Sequence, residues 1–333
     1  MHIPQAKELE QKVFAITNER EFHSIALEVY KFQFENNPVY RDYCRLIKKP
    51  PEVVKVLTDI PFLPIAFFKT QRVESTSFQP ELIFKSSGTT TASVSTHYVK
   101  DSRIYKKSFF KSFQNFYGNV DQYCIIGLLP SYLERGNSSL VYMVEHLIQA
   151  SGHSESGFYL YELEKLNRTL QKLESGAQKT ILIGVTYALL DFAEVFPQHL
   201  QNTIVMETGG MKGRKKEMTR EELYQLLKTS LGVTEIHSEY GMTELMSQAY
   251  GVNGKIFCPF WMKTLFRDET DPLFIQPTSS AGSGVLNIID LANLYSCSFI
   301  ATDDLGKGFA DGSFEVLGRM DNSDVRGCSL MIV

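Results

Sequence analysis

Thr180-Ile-Leu-Ile-Gly-Val185, Tyr187-Ala-Leu-Leu-Asp-Phe-Ala-Glu-Val195 and Thr203-Ile-Val-Met206 follow one another as an apolar run, a helical stretch and a second apolar run. Short runs rich in Ile and Val read as strands buried on both faces, and strands alternating with helices make a sheet with helices packed on it. The same alternation precedes these segments, in Tyr123 to Leu129 followed by Ser138 to Gln149. It continues after them, in a helix predicted from about Arg220. Thr219 and Glu222 give that helix a T-x-x-E capping box ahead of Leu223, Leu226 and Leu227. The fold class is α/β.

Away from this centre the pattern changes. Leu9, Val13, Phe14 and Ile16, then Phe22, Ile25, Val29 and Phe32, recur near the helical period. Pro50-Pro51 interrupts them, and Ile60-Pro-Phe-Leu-Pro64 reads as an extended connector, because proline disfavours helix in the residue before it. Beyond about Tyr250 helical periodicity fades into β-rich runs such as Gly284 to Ile289 and Ser296 to Ala301. The expected organisation is a helical region over 1–80, an α/β core over 81–249, a β-rich subdomain over 250–318 and a tail over 319–333.

Composition excludes several classes. In 333 residues, 43% are hydrophobic and 22% charged, which rules out wholesale disorder and suits one large domain or two modest ones. A net charge of −4 gives no reason to expect nucleic acid or an anionic membrane as partner. The five cysteines contain no C-x-x-C pair, which argues against a zinc knuckle and for a reduced compartment. The start, MHIPQAKELEQK, lacks the apolar core of a signal peptide, and no run of ~18 uncharged apolar residues is present. A cytoplasmic protein without a membrane span is expected.

Four segments gather chemistry. Lys85-Ser86-Ser87-Gly88-Thr89-Thr90-Thr91 follows the apolar run Glu81 to Phe84; its hydroxyls and freed backbone amides suit phosphate oxygens, or else a polar turn. It lacks the Gly-Lys-Ser/Thr of a Walker A loop. Ser238-Glu239-Tyr240-Gly241-Met242-Thr243-Glu244, after a strand expected at Val233 to Ile236, brings an aromatic ring, a glycine and a carboxylate of the kind that ligates magnesium beside phosphates. Thr302-Asp303-Asp304-Leu305-Gly306 offers a carboxylate to ribose hydroxyls, with an exposed turn as the alternative, and Gly318-Arg319-Met320-Asp321 offers an arginine. His97 reads as a surface or turn histidine, His237 as one that could line a pocket. The run Lys212, Arg214, Lys215, Lys216 reads as a solvated loop.

In this order, the four segments resemble the adenylate-forming enzymes, the superfamily of acyl- and aryl-CoA ligases, luciferases and peptide-synthetase adenylation domains. Ile60-Pro-Phe-Leu-Pro-Ile-Ala-Phe-Phe-Lys69, Asn137-Ser-Ser-Leu-Val-Tyr-Met143 and Asn322-Ser-Asp-Val-Arg-Gly-Cys328 narrow the resemblance to acyl-protein synthetases, the LuxE-type fatty-acid-activating subunit of bacterial fatty acid reductase. The resemblance implies the large N-terminal domain of adenylate-forming enzymes: layered sheets with packed helices and a small β-rich subdomain. It implies ATP and Mg²⁺, a fatty or other carboxylic acid, and an acyl reductase or acyl carrier protein as partner.

Carried over by motif, Ser86, Ser87, Gly88, Thr89 and Thr90 would hold the ATP phosphates, Tyr240 and Gly241 would border adenine, Thr243 the α-phosphate, and Glu244 would hold Mg²⁺. Asp304 would bind ribose and Arg319 would support the same nucleotide, with Gly209 and Gly210 at a close backbone approach to adenine or acyl chain. Cys328, near the C-terminus with Arg326 beside it, would carry the acyl thioester. Two departures stand out: Thr91-Ala92-Ser93 replaces the superfamily's Gly and Lys after the threonines, and, with the sequence ending at Val333, the usual lid domain with its lysine is expected to be lacking. The alternatives are transfer of the acyl group to a carrier protein or CoA, and a non-catalytic nucleotide- or acyl-binding relative.

Overall fold

The computed structural model describes residues 3–86, 94–130, 136–209, 218–276 and 282–320. Helices α1 (Ile3–Ala15), α2 (Glu19–Asn36) and α3 (Pro38–Leu46) open the chain. Asn18 caps α2 by accepting from the Glu21 amide, and Asn37 caps α3 by accepting from that of Tyr40, with Pro38 in the first turn where its missing N–H costs nothing. The Ile60–Pro64 connector is extended as expected and ends in β1 (Leu63–Pro64), followed by the single turn α4 (Phe67–Thr70).

A two-stranded antiparallel hairpin follows, β2 (Leu82–Lys85) with β3 (Thr96–Val99), then α5 (Ser102–Tyr117). The alternating region comprises β4 (Cys124–Leu128), α6 (Ser139–Ser151), β5 (Gly157–Phe158), α7 (Leu163–Ser175), β6 (Thr180–Gly184), α8 (Thr186–Val195), β7 (Thr203–Thr208), α9 (Arg220–Leu231) and β8 (His237–Tyr240). Strands β9 (Ala249–Val252), β10 (Lys255–Phe257), β11 (Met262–Arg267), β12 (Ser283–Asp290), β13 (Phe299–Gly308) and β14 (Phe314–Arg319) complete it. The capping box at α9 is formed on both sides: Glu222 donates its amide to Thr219 Oγ1 at 3.2 Å, and the Thr219 amide donates to Glu222 Oε2 at 2.8 Å.

Among the described residues, one sheet runs β5-β4-β6-β7-β8-β9-β10-β14-β13-β12-β11, with β1 beside β13. The pairs from β5 to β8 are parallel and those from β8 onward antiparallel. Ile125, Ile126, Leu128, Ile181, Leu182, Ile183, Val205 and Met206 are buried, as parallel strands covered on both faces require. The helical start is tied to the far end of the sheet by polar side chains. Buried Gln33 donates to the carbonyls of Asn293 and Leu294, both at 3.0 Å, and accepts from the Ser298 amide at 2.9 Å.

Two strands sit where the hydrophobic pattern did not put them. The strand expected at Val233 to Ile236 is His237–Tyr240, in register Met206↔His237 and Thr208↔Glu239. The strand expected at Ser296 to Ala301 begins at Phe299 and continues through both aspartates to Gly308. In each case polar residues occupy strand positions, so the apolar signal does not mark the bounds of the backbone element.

Candidate active site

Parallel strands present their carboxyl ends along one edge, so the segments leaving β7 and β8 meet there. Strand β7 runs out into Gly209, whose φ of 74° is a left-handed conformation that glycine adopts without strain. Its carbonyl accepts from the amide and the hydroxyl of Thr186. Thr208 and Glu239 are cross-strand neighbours, and the Thr208 hydroxyl donates to Glu239 Oε2 at 2.5 Å. The Glu239 carboxyl folds over Gly241: a Cβ added there would lie 2.6 Å from Oε1. Glycine is thus what lets the carboxylate close on the chain leaving β8. Gln248 borders the same space, and its buried Oε1 has no hydrogen-bond partner among the described residues.

Burial pushes the Glu239 carboxyl up to about 7; the Thr208 hydroxyl pulls the other way, and the charge of Glu207 adds to the rise. A carboxyl raised above its ordinary 4.5 favours folding while protonated, and that contribution disappears as pH climbs from 4.5 through 7. Glu239→Gln removes this dependence. Urea unfolding is expected to show the variant gaining on the wild type by on the order of 2 kcal/mol between pH 5 and pH 8. A constant difference across that range would refute the assignment.

Tyr240 points to the opposite face from Glu239, as strand alternation requires, and packs edge-to-face on Phe314 with ring centroids 5.4 Å apart. Its hydroxyl donates to Asp304 Oδ2 at 3.0 Å. Asp304 is only 4% exposed and stands opposite Arg319 on β14, whose Nε lies 3.2 Å from Oδ1. Burial, with Asp304 alongside, raises the Tyr240 hydroxyl well above its ordinary value and keeps it a donor. Behind this pair the buried Arg267 donates to the Thr302 carbonyl at 2.5 Å, the Leu286 carbonyl at 3.1 Å and Asn287 Oδ1 at 2.7 Å. Its positive charge therefore supports the strand that carries Asp303 and Asp304.

Ser86 closes the base of the β2–β3 hairpin, its amide donating to the Ser95 carbonyl and its hydroxyl accepting from the Ser95 amide, both at 3.0 Å. Ser87, Gly88, Thr89, Thr90, Gly210 and Cys328, like the basic run Lys212 to Lys216, lie outside the described residues. Two residues beyond Ser95, His97 corrects the expectation of a surface histidine. It is 1% exposed, with Nδ1 2.8 Å from the Thr243 carbonyl and Nε2 3.1 Å from Asn293 Oδ1. Burial pushes this imidazole below its ordinary value, opposed by the Thr243 carbonyl, the Glu244 charge and Asn293. A single histidine between Thr96 and Tyr98 carries no periodic sign of burial. His237 is half-buried at the other end of β8, 3.2 Å from the Tyr117 hydroxyl.

Thr243 and the buried Glu244 follow Gly241 in a turn held from two sides. Asn293 Nδ2 donates to the Glu244 carbonyl at 2.7 Å. Asp290, at the end of β12, accepts from the amides of Met246 at 2.7 Å, Ser247 at 3.0 Å and Ala292 at 3.2 Å, and from the Ser247 hydroxyl at 2.6 Å. Burial still pushes its carboxyl up to about 6.

Ser86, Gly209, Tyr240, Gly241, Thr243, Glu244, Asp304 and Arg319 are thus joined through contiguous backbone and hydrogen bonds. His97, Asn293, Asp290, Glu239 and Arg267 belong to the same network. His97 was read as a surface histidine and Glu239 stood within a quoted motif; Asn293, Asp290 and Arg267 were not singled out by sequence and lie where a local pattern has nothing to show.

Comparison with the curated proteins finds no sequence match. Solved structures share the fold. The structure of 2-hydroxyisobutyryl-CoA ligase (HCL) in the postadenylation state with 2-HIB-AMP aligns with a TM-score of 0.61 at 13% identity, over 92% of this chain and 70% of that one. The same ligase in an open conformation with 2-HIB-AMP and CoA gives 0.57 at 12%, over 92% and 77%. O-succinylbenzoate coenzyme A synthetase (MenE) from Bacillus subtilis, in complex with ATP and magnesium ion, gives 0.50 at 15% identity, over 74% of this chain and 53% of that one. At these identities the likeness is one of fold, that of the large domain of adenylate-forming ligases. The family model described as Acyl-protein synthetase, LuxE matches residues 10–333, and the chain belongs to that family.

Proposed function

We propose that the protein converts a fatty acid and ATP to an acyl-adenylate and then carries the acyl group as a thioester on Cys328 for delivery to a reductase. Family membership supports the coarser statement, an AMP-forming ligase that activates a carboxylic acid. The observation that carries the proposal is the joining of Tyr240, Asp304 and Arg319, from β8, β13 and β14, at the point where Gly241-Met-Thr-Glu244 leaves the sheet.

The residues present fit a magnesium ion that arrives with the nucleotide. Among the described residues no three His, Cys, Asp or Glu side chains cluster as a metal cage. A single carboxylate, Glu244, is what Mg²⁺ takes from a protein when phosphates fill its remaining positions. When bound, the ion would neutralise charge on the phosphates.

The chain's own part is to hold the ribose hydroxyls on Asp304, set Tyr240 beside the base and present the Thr243 hydroxyl to the α-phosphate. The acid is already ionised at neutral pH, so its oxygen attacks the α-phosphorus without a general base and pyrophosphate leaves. A thiolate then attacks the acyl carbon, the bond to AMP breaks, and the thiol proton goes to water. Burial pushes the thiols of Cys44 and Cys258 up to about 12 and that of Cys124 to about 11, and raises Cys297 as well. None of these four described cysteines is poised as a nucleophile, which supports Cys328.

Radiolabelled fatty acid with MgATP is expected to label the wild-type chain and to leave Cys328→Ser unlabelled, with ATP–pyrophosphate exchange within about threefold in both. Labelled Cys328→Ser would end the thioester assignment. Acid-dependent turnover only with CoA or a carrier thiol would replace it with direct transfer, and no exchange in the wild type would end adenylation.

A further inference from the structure

The hydroxyl-bearing hairpin and the turn that carries Thr243 and Glu244 belong to different parts of the chain, and among the described residues β2 and β3 pair with each other rather than with the main sheet. What joins them is a buried polar triangle. His97, on β3, meets the Thr243 carbonyl with Nδ1 at 2.8 Å and Asn293 Oδ1 with Nε2 at 3.1 Å; Asn293 Nδ2 meets the Glu244 carbonyl at 2.7 Å. Backbone and amide carbonyl oxygens can only accept, so in both contacts the ring nitrogen of His97 is the donor.

The triangle is held rigidly. Phe68 stands edge-to-face on the imidazole at 6.0 Å, and Asn293 sits in the β12–β13 turn that Gln33 fastens through the Asn293 and Leu294 carbonyls and the Ser298 amide. On the other side of the turn, Asp290 clamps Met246 and Ser247. His97 and Asn293 are buried to 1% exposure, where hydrogen bonds are strong and a lost partner is costly.

We propose that His97 and Asn293 are positioning residues that lock the β2–β3 hairpin to the Thr243-Glu244 turn, so that the elements facing the nucleotide phosphates keep one geometry. This rests on the reading of the site as nucleotide-binding. Neither residue touches the reacting atoms. They act through the backbone of Thr243 and Glu244, where a displacement of about 1 Å is enough to cost two orders of magnitude in rate.

The test uses the full chain with His97→Ala, Asn293→Ala and the conservative His97→Gln, whose amide can still donate to Thr243. Hydrogen exchange of the nucleotide-free protein is expected to show the amides of both Thr96–Val99 and Met242–Leu245 exchanging at least tenfold faster in the two alanine variants. The KM for MgATP is expected to rise about tenfold while the KM for the acid stays within twofold, and His97→Gln is expected to recover most of both effects. Should His97→Ala fail to fold, Asn293→Ala carries the test, since it removes the same triangle from its other corner. Wild-type protection of both segments in a folded alanine variant overturns the lock, as does a parallel rise in both KM values. Because the exchange measurement needs no nucleotide, it judges the lock separately from the proposed activity.

Discussion

Asp304→Asn is expected to lower ATP–pyrophosphate exchange roughly a hundredfold while leaving a folded protein. The magnitude follows from the role proposed for the carboxylate: two ribose hydroxyls donating to an anion are worth about 3 kcal/mol together, and a tenfold change corresponds to about 1.4 kcal/mol. Asparagine is the informative replacement because it keeps an oxygen for the Tyr240 hydroxyl, which lies 3.0 Å away. Alanine would also remove the oxygen that lies 3.2 Å from the largely buried Arg319 Nε, and would mix a loss of packing and hydrogen bonding with the loss of charge. The loss should fall on the KM for ATP and on kcat/KM, with the KM for the acid unchanged. Exchange within threefold of wild type would remove Asp304 from the nucleotide site.

Asp290→Ala is expected to cost about 3–5 kcal/mol of stability, the second large effect. Four donors converge on this fully buried carboxylate: the amides of Met246, Ser247 and Ala292 and the Ser247 hydroxyl. Each donor left unpaired in the interior costs about 1–3 kcal/mol, with partial relaxation holding the total below the simple sum. Trp261 Nε1 also donates to the Ser247 hydroxyl at 2.9 Å, so the loss spreads into the core around the indole. Urea unfolding should show a lower midpoint at unchanged slope, and nucleotide affinity should weaken because the turn after Glu244 loses its anchor. A cost below 1 kcal/mol would mean that water or a rearranged turn satisfies those donors.

Much of the fold was legible in local pattern. The runs Thr180 to Val185 and Thr203 to Met206 are continuous apolar segments because parallel strands are covered on both faces, and they are strands β6 and β7. The T-x-x-E box starts α9 where it was expected, since a cap is a contact between neighbours in sequence. The reading faltered at β8, whose His-Ser-Glu-Tyr stretch is polar yet paired on both sides, and at β13, which begins at Phe299 and runs on through Thr-Asp-Asp to Gly308. Polar side chains at strand positions hide such strands from a hydrophobicity pattern.

The sequence alone determined the α/β class, the order of the four chemistry-bearing segments and the family that order resembles, because each is written in residues close together along the chain. Only the tertiary structure decided that His97 is buried against Thr243, 146 positions away, that Tyr240 reaches Asp304 across 64, and that Asp290 holds Ser247 across 43. A hydrogen bond between distant residues leaves no period and no local composition behind it. It exists because the fold packs the β2–β3 hairpin against the segments that leave β8 and β12, where a buried polar group must find its partner or destabilise the fold.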